Sequence, residues 1–200
     1  MYRKITEYLK QWKVDPHRKP LILQGARQVG KTYSILEFGR TQYEDVAYFN
    51  FESNPKLAET FAESISPSYL LPILSHIAGK TIVKEKTLVI FYEVQLCARA
   101  LTSLKYFYED APEYHIIVAG SLLGVAVNRA QFSFPVGKVD MKTMYPMDME
   151  EFMLARGEEV LVKRIRECFA TDQPMPSILH DAAMQMYRQY LIVGGMPECV

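Results

Sequence analysis

The chain has 200 residues, 49% of them hydrophobic and 23% charged, with 23 basic side chains balanced by 23 acidic ones. That is the ordinary globular range for about one domain able to bury a core without staples, and its neutral balance gives no bulk electrostatic reason to bind nucleic acid, though a local patch stays open. Cys97, Cys168 and Cys199 lack any C-x-x-C spacing, no apolar run has membrane-crossing length, and the N-terminus shows no signal-peptide core, so neither a disulfide framework, a zinc site nor a membrane span is expected and a cytoplasmic location is the default.

Residues 2–13 place Tyr2, Ile5, Tyr8, Leu9 and Trp12 at helical spacing, which predicts an amphipathic helix laid against a sheet and ended by Pro16. Trp12 reads as a packing residue in preference to a base-stacking one. Residues 20–24, Pro-Leu-Ile-Leu-Gln, form a short apolar run of the kind found in buried parallel strands. Directly after it, Gly25-Ala26-Arg27-Gln28-Val29-Gly30-Lys31-Thr32 fits G-x-x-x-x-G-K-[ST] without a mismatch, and residues 32–38 read as a helix. Strand, glycine loop, helix is the setting in which this pattern binds phosphate. Backbone N–H groups turn inward, and the positive helix end adds to them. Gly25 and Gly30 allow the tight turn, Lys31 reaches the β- and γ-phosphates, the Thr32 hydroxyl ligates Mg²⁺, and Tyr33 follows as a further nucleotide contact.

The helix after the loop is expected to stop near Gly39. Residues 45–52 are rich in β-branched and aromatic side chains and predict a second strand, whose end Asn50-Phe51-Glu52 carries polar groups. Helices are expected over 55–65 and 69–77, the latter closed by Gly79. Residues 87–93 predict a central parallel strand tipped by Glu93, and a helix follows over 98–109. Residues 114–121 repeat the device, with Ser121 at the tip. The alternation of strand and helix predicts an α/β fold, a doubly wound parallel sheet of the P-loop NTPase type. Residues 132–146 suggest a hairpin or an edge strand. A helix begins at 147–152, with Asp148, Glu150 and Glu151 near its positive end, and two more cover 158–170 and 177–193, separated by Pro174 and Pro176 and closed by Gly194-Gly195. The expected organisation is a nucleotide-binding part over 1–150 and, over 151–200, a small helical lid or the start of a C-terminal region.

Hydrolysis needs a held Mg²⁺, an oriented water and a cation for the developing charge. Glu93, leaving a central strand beside the loop, is the candidate base and a candidate metal ligand with Thr32. Ser121 is a candidate γ-phosphate contact, with a capping serine as the plain alternative. Asn50 and Glu52 are weaker candidates. Arg27, Arg99, Arg129 and Lys138 are candidate cations, each also readable as a surface charge. The methionines at 141, 144, 147, 149 and 153 read as adaptable core or a partner-facing surface, and the four scattered histidines argue against a metal cluster.

Taken together, Gly25–Thr32, Asn50-Phe51-Glu52, Phe91-Tyr92-Glu93-Val94-Gln95, Lys105-Tyr106-Phe107, Ala119-Gly120-Ser121-Leu122-Leu123-Gly124, Ser133-Phe134-Pro135-Val136-Gly137-Lys138, Tyr145-Pro146-Met147, Glu151-Phe152 and Gly194-Gly195-Met196-Pro197-Glu198 resemble a group of prokaryotic AAA-type ATPases. The resemblance runs over essentially the whole chain. It implies ATP and Mg²⁺ as ligands, ATP hydrolysis as the reaction, a helical lid, and a second domain of unknown function, which this chain would lack beyond Val200. In one place the chain departs from that pattern. The strand tip of such proteins reads Phe-Asp-Glu, and here Tyr92 takes the place of the Asp. A phenol with a pKa near 10 is a poor Mg²⁺ partner. The expectation is therefore ATP binding with slow hydrolysis that drives a conformational switch. The rivals are a nucleotide-binding module without hydrolysis, a small-molecule kinase, and a nucleic-acid-associated interaction protein. The partners expected are ATP and ADP, with self-association or a partner protein open.

Overall fold

The computed structural model of the protein describes residues 1–120 and 135–200. Five short strands form one fully parallel sheet in the order β2-β3-β4-β1-β5. These are β1 (Leu21–Gln24), β2 (Asp45–Asn50), β3 (Thr87–Tyr92), β4 (His115–Ala119) and β5 (Asp140–Thr143). The three inner strands are the near-continuous apolar runs, because both of their faces are covered, with Thr87 and His115 as buried polar residues at the starts of β3 and β4. Registers pair Leu23 with Ala119, Ala119 with Tyr92, and Tyr92 with Asn50. The carboxyl ends of four strands thus stand in one row.

Period-two alternation sorts the strand side chains between two cores. On one face Ile22, Phe49, Phe91, Ile116 and Val118 pack under α3 (Lys56–Glu63), α4 (Pro67–Ala78) and α5 (Ala98–Asp110), which bring Phe61, Leu70, Leu74, Leu104 and Phe107. On the other, Leu21, Leu23, Leu88, Ile90 and Ile117 pack under α1 (Ile5–Val14) and α2 (Lys31–Gln42), which bring Leu9, Trp12, Ile35 and Phe38. Each fully buried Leu or Phe stabilises by roughly 1.5–3 kcal/mol relative to leaving it in water. Trp12 is a core residue, as read from its spacing, and its Nε1–H donates to the Lys19 carbonyl at 2.8 Å.

One expectation changes. The α2 helix does not stop near Gly39 but continues to Gln42. Gly39 faces the sheet so closely that a Cβ there would lie 2.6 Å from Val46 Cγ2 and 3.2 Å from Leu88 Cδ2. The glycine lets helix and sheet approach, and it ends nothing. Of the hairpin or edge strand expected over 132–146, the described residues form the edge strand, β5, parallel to β1.

Beyond the sheet lie α6 (Met149–Ala155), α7 (Glu159–Thr171) and α8 (Ser177–Val193). They share a third, smaller core of Phe152, Met153, Leu161, Val162 and Met186. The acids expected at the start of α6 cap it. Asp148 Oδ1 accepts the Glu151 N–H at 2.9 Å and Glu151 Oε2 accepts the Asp148 N–H at 3.2 Å, a reciprocal capping box. Among the described residues no helix is long and apolar enough to cross a membrane.

Candidate nucleotide site

The loop between β1 and α2 takes its shape from three residues of positive φ. Gly25 has φ +149°, and a Cβ on it would overlap the Met144 carbonyl oxygen on β5's exit. Gly30 has φ +91° and is the residue from which α2 starts. Gln28 also sits in the left-handed region, at φ 64°. The chain reverses within a few residues, so the free N–H groups of the first turn of α2 open onto the carboxyl edge of the sheet. No acidic side chain occupies that first turn.

Lys31, only 5% exposed, folds back over the loop, and its ammonium donates to the Gly25 and Ala26 carbonyls at 2.9 and 2.6 Å. Burial lowers its pKa, and the charge of Glu93 opposes that shift. Glu93 extends from the tip of β3 in a left-handed conformation, φ 53° and ψ 40°, an uncommon and strained state for a non-glycine residue. Its N–H is anchored on the Ala119 carbonyl at 2.8 Å, and its carboxylate accepts from the Gln95 side-chain amide. The Gln95 Oε1 atom is buried and has no hydrogen-bond partner among the described residues.

Arg27, Gln28, Gly30, Lys31, Thr32 and Tyr33 line one cavity of about 740 Å³ with Glu52, Tyr92, Glu93 and Gln95, and Pro197 and Glu198 close it from the C-terminal side. That is the volume class of small-molecule sites. Most of the residues expected to converge do so. Val29 does not face the cavity; its side chain is fully buried in the core beneath the loop. Gly25 and Ala26 contribute through the carbonyls that hold Lys31. Asn50 is spent on a turn, its Oδ1 accepting the Glu52 N–H at 2.9 Å. Ser121 and Arg129 lie outside the described residues. Tyr92 faces the cavity and stacks on Tyr48, ring centroids 6.0 Å apart. Burial next to Tyr92 and Glu93 pushes the Tyr48 phenol up to about 12.

Two candidate cations stand elsewhere. Arg99 Nε donates to the Phe61 carbonyl on α3 at 2.6 Å. Lys138 precedes β5, so it lies at the amino edge of the sheet, opposite the cavity, where it pairs with Glu109 at 2.9 Å. The direction of β5, parallel to β1, thus sets Lys138 away from the cavity. Among the described residues, Arg27 is the candidate cation that lines the cavity. The residues to which sequence reasoning assigned no site role are Gln95, Pro197 and Glu198, which stand in segments that carry the resemblance, and Arg3.

The donor set suits a polyphosphate: a helix N-terminus, a buried ammonium and glycine-shaped backbone. It suits Mg²⁺ only in company. Thr32, Glu93 and Glu52 reach the same cavity, but no group of three His, Cys, Asp or Glu among the described residues could hold a metal by itself.

Residues 17–153 match the family described as AAA domain. No curated protein matches. Among solved structures, ORC from Drosophila bound to DNA is similar at 15% identity over 94% of this chain and 53% of that one, with a TM-score of 0.50. AMPPCP-bound DnaA from Aquifex aeolicus is similar at 13% identity over 96% and 56%, TM-score 0.49. ORC2 from Aeropyrum pernix, in ADPNP and ADP complexes, is similar at 13% over 80% and 52%, TM-score 0.49. The chain spans about half the length of these structures, and at 15% identity the likeness to the Drosophila structure speaks to the fold alone.

Proposed function

The chain belongs to the AAA-domain family, and from that premise we propose that its cavity binds ATP and ADP and that the protein hydrolyses ATP slowly, using the γ-phosphate to bias the seat of its helical C-terminal part. The observation that carries this is one cavity holding Lys31, Thr32 and Glu93 at the carboxyl ends of β1 and β3. Lys31 would leave the Gly25 and Ala26 carbonyls for the phosphates, and the N–H groups of the first turn of α2 would take the remaining oxygens. Thr32, with Glu93, would hold Mg²⁺, which when bound supplies neutralisation of charge between the β- and γ-phosphates. Glu93 orients the attacking water, and the Gln95 amide holds the Glu93 carboxylate in place. Tyr92 cannot share the metal, so Glu93 is asked to serve both metal and water. Slow turnover follows.

A calorimetric titration with ATP and Mg²⁺ tests binding, with Lys31→Ala as the reference. Wild type should bind and the variant should lose at least tenfold, as expected when a charge-assisted contact worth about 1.5–3 kcal/mol is removed. Tyr92→Asp should raise phosphate release. If wild type and Lys31→Ala bind alike, the cavity is not the nucleotide site. Tyr92 also supports a second reading, a nucleotide-binding module without hydrolysis. Intact binding, with phosphate release no higher than in Lys31→Ala, would select it.

A further inference from the structure

Arg3 is a charged side chain that is only 4% exposed, placed before α1 and far in sequence from everything it touches. A guanidinium out of water is costly unless its N–H groups are paired. Here Nε donates to Glu151 Oε1 at 3.1 Å, Nη1 to the Val29 carbonyl at 2.6 Å and Nη2 to the Tyr145 carbonyl at 2.8 Å. The three acceptors belong to the phosphate loop, the segment leaving β5, and the first turn of α6. The Glu151 carboxylate is further fixed by the Lys4 N–H at 2.7 Å and by the capping box of α6.

The contact to Val29 has a consequence for the cavity. In a planar trans peptide the carbonyl and the following N–H point opposite ways. A Val29 carbonyl held on Arg3 therefore turns the Gly30 N–H away from Arg3, and Gly30 lines the cavity. The same glycine is flanked by the returning C-terminal segment, Pro197 Cγ lying 3.7 Å from where a Gly30 Cβ would be.

We infer that Arg3 is a positioning residue that sets the Val29–Gly30 peptide of the phosphate loop and couples it to the seat of α6 through Glu151, so that filling the loop and seating the C-terminal helices favour one another. This rests on the reading that the loop takes a nucleoside phosphate. Coupling of this kind is reciprocal: what loosens Arg3 from Glu151 must also loosen the ligand.

The test uses the full chain with Arg3→Lys and Glu151→Gln, MgADP as the probe, and amide hydrogen exchange as the second readout. Lysine keeps the charge but lacks the planar fork that reaches three acceptors. Glutamine keeps the shape of Glu151 and loses its charge. In wild type, MgADP should slow exchange both in residues 29–33 and in residues 149–155. In either variant affinity should fall by about 5- to 150-fold, the range of such couplings. The protection of 149–155 by MgADP should vanish, with the amides of β3 and β4 still as protected as in wild type. Should Arg3→Lys fail to fold, Glu151→Gln carries the same comparison. Wild-type affinity in a folded variant overturns the inference, as does loss of protection across the whole sheet, the mark of a merely structural role. A wild type that takes up no MgADP overturns the proposed function as well, and that arm reads it separately.

Discussion

At the scale of single residues, the loop depends on backbone conformations more than on side chains. Gly25 and Gly137 both have positive φ, +149° and +73°, but their surroundings differ. A Cβ on Gly25 would overlap the Met144 carbonyl, whereas a Cβ on Gly137 would meet nothing within 4 Å. Gly25→Ala should therefore cost about 1–3 kcal/mol of strain plus whatever is lost by moving β5's exit, and MgADP binding with it. Gly137→Ala should cost about 1 kcal/mol and leave binding alone. Urea unfolding with nucleotide titration on both variants checks this; equal losses in the two would mean that the close approach to Met144 is not what Gly25 is there for. The glycine loop was legible in the sequence because its whole motif lies within eight positions. Arg3 was not, because its acceptors lie from 26 to 148 residues away and no local pattern marks them.

At the scale of elements, β4 shows how an apolar run can hide a titratable group. Its first residue, His115, lies 4% exposed beneath α1 and the end of α2. Tyr43 Oη stands 2.6 Å from its Nδ1, Trp12 packs edge-on against it, and the charges facing it, Arg18 and Lys13, are both positive. Burial, helped by those two cations, lowers its pKa from 6.5 to about 4. The unfolded chain thus binds a proton near pH 6.5 that the folded chain refuses until about pH 4. Stability from this group is complete above pH 6.5 and is lost as pH falls towards 4. In urea unfolding across that window His115→Gln should flatten the slope relative to wild type, all carboxylates being common to both. Parallel curves would remove His115 as the cause. Elements of this kind were legible from their periods, 3.6 and 2, since each is written in a local run. The end of α2 was misread because Gly39 looks like a stop from its neighbours in sequence and is explained only by Val46 and Leu88 across the sheet.

At the scale of the whole molecule, the two ends of the chain meet at the phosphate loop. Arg3 comes from one and Pro197 from the other, with the capped start of α6 between them. The link from the C-terminal side is a backbone one. The Gly195 carbonyl accepts the Met147 N–H at 2.7 Å, and a Cβ on Gly195 would overlap the Met147 carbonyl. Tyr190 Oη also donates to that carbonyl, at 2.9 Å, tying α8 to the same residue. From the sequence, Gly194-Gly195 reads as the close of a helix; that its second glycine is a docking surface needs the fold. Gly195→Val should push this segment off Met147 and carry Pro197 and Glu198 away from the cavity. The cores on either face of the sheet contain no residue of that segment beyond Met196 at the edge of one, so the sheet should stay folded. The expected result is faster amide exchange and proteolysis at residues 194–200, unchanged protection of β1, β3 and β4, and weaker MgADP binding. If the tail loosens and affinity stays at the wild-type value, the C-terminal segment is a neighbour of the cavity and not a wall of it, and the closing role given to Pro197 and Glu198 is wrong.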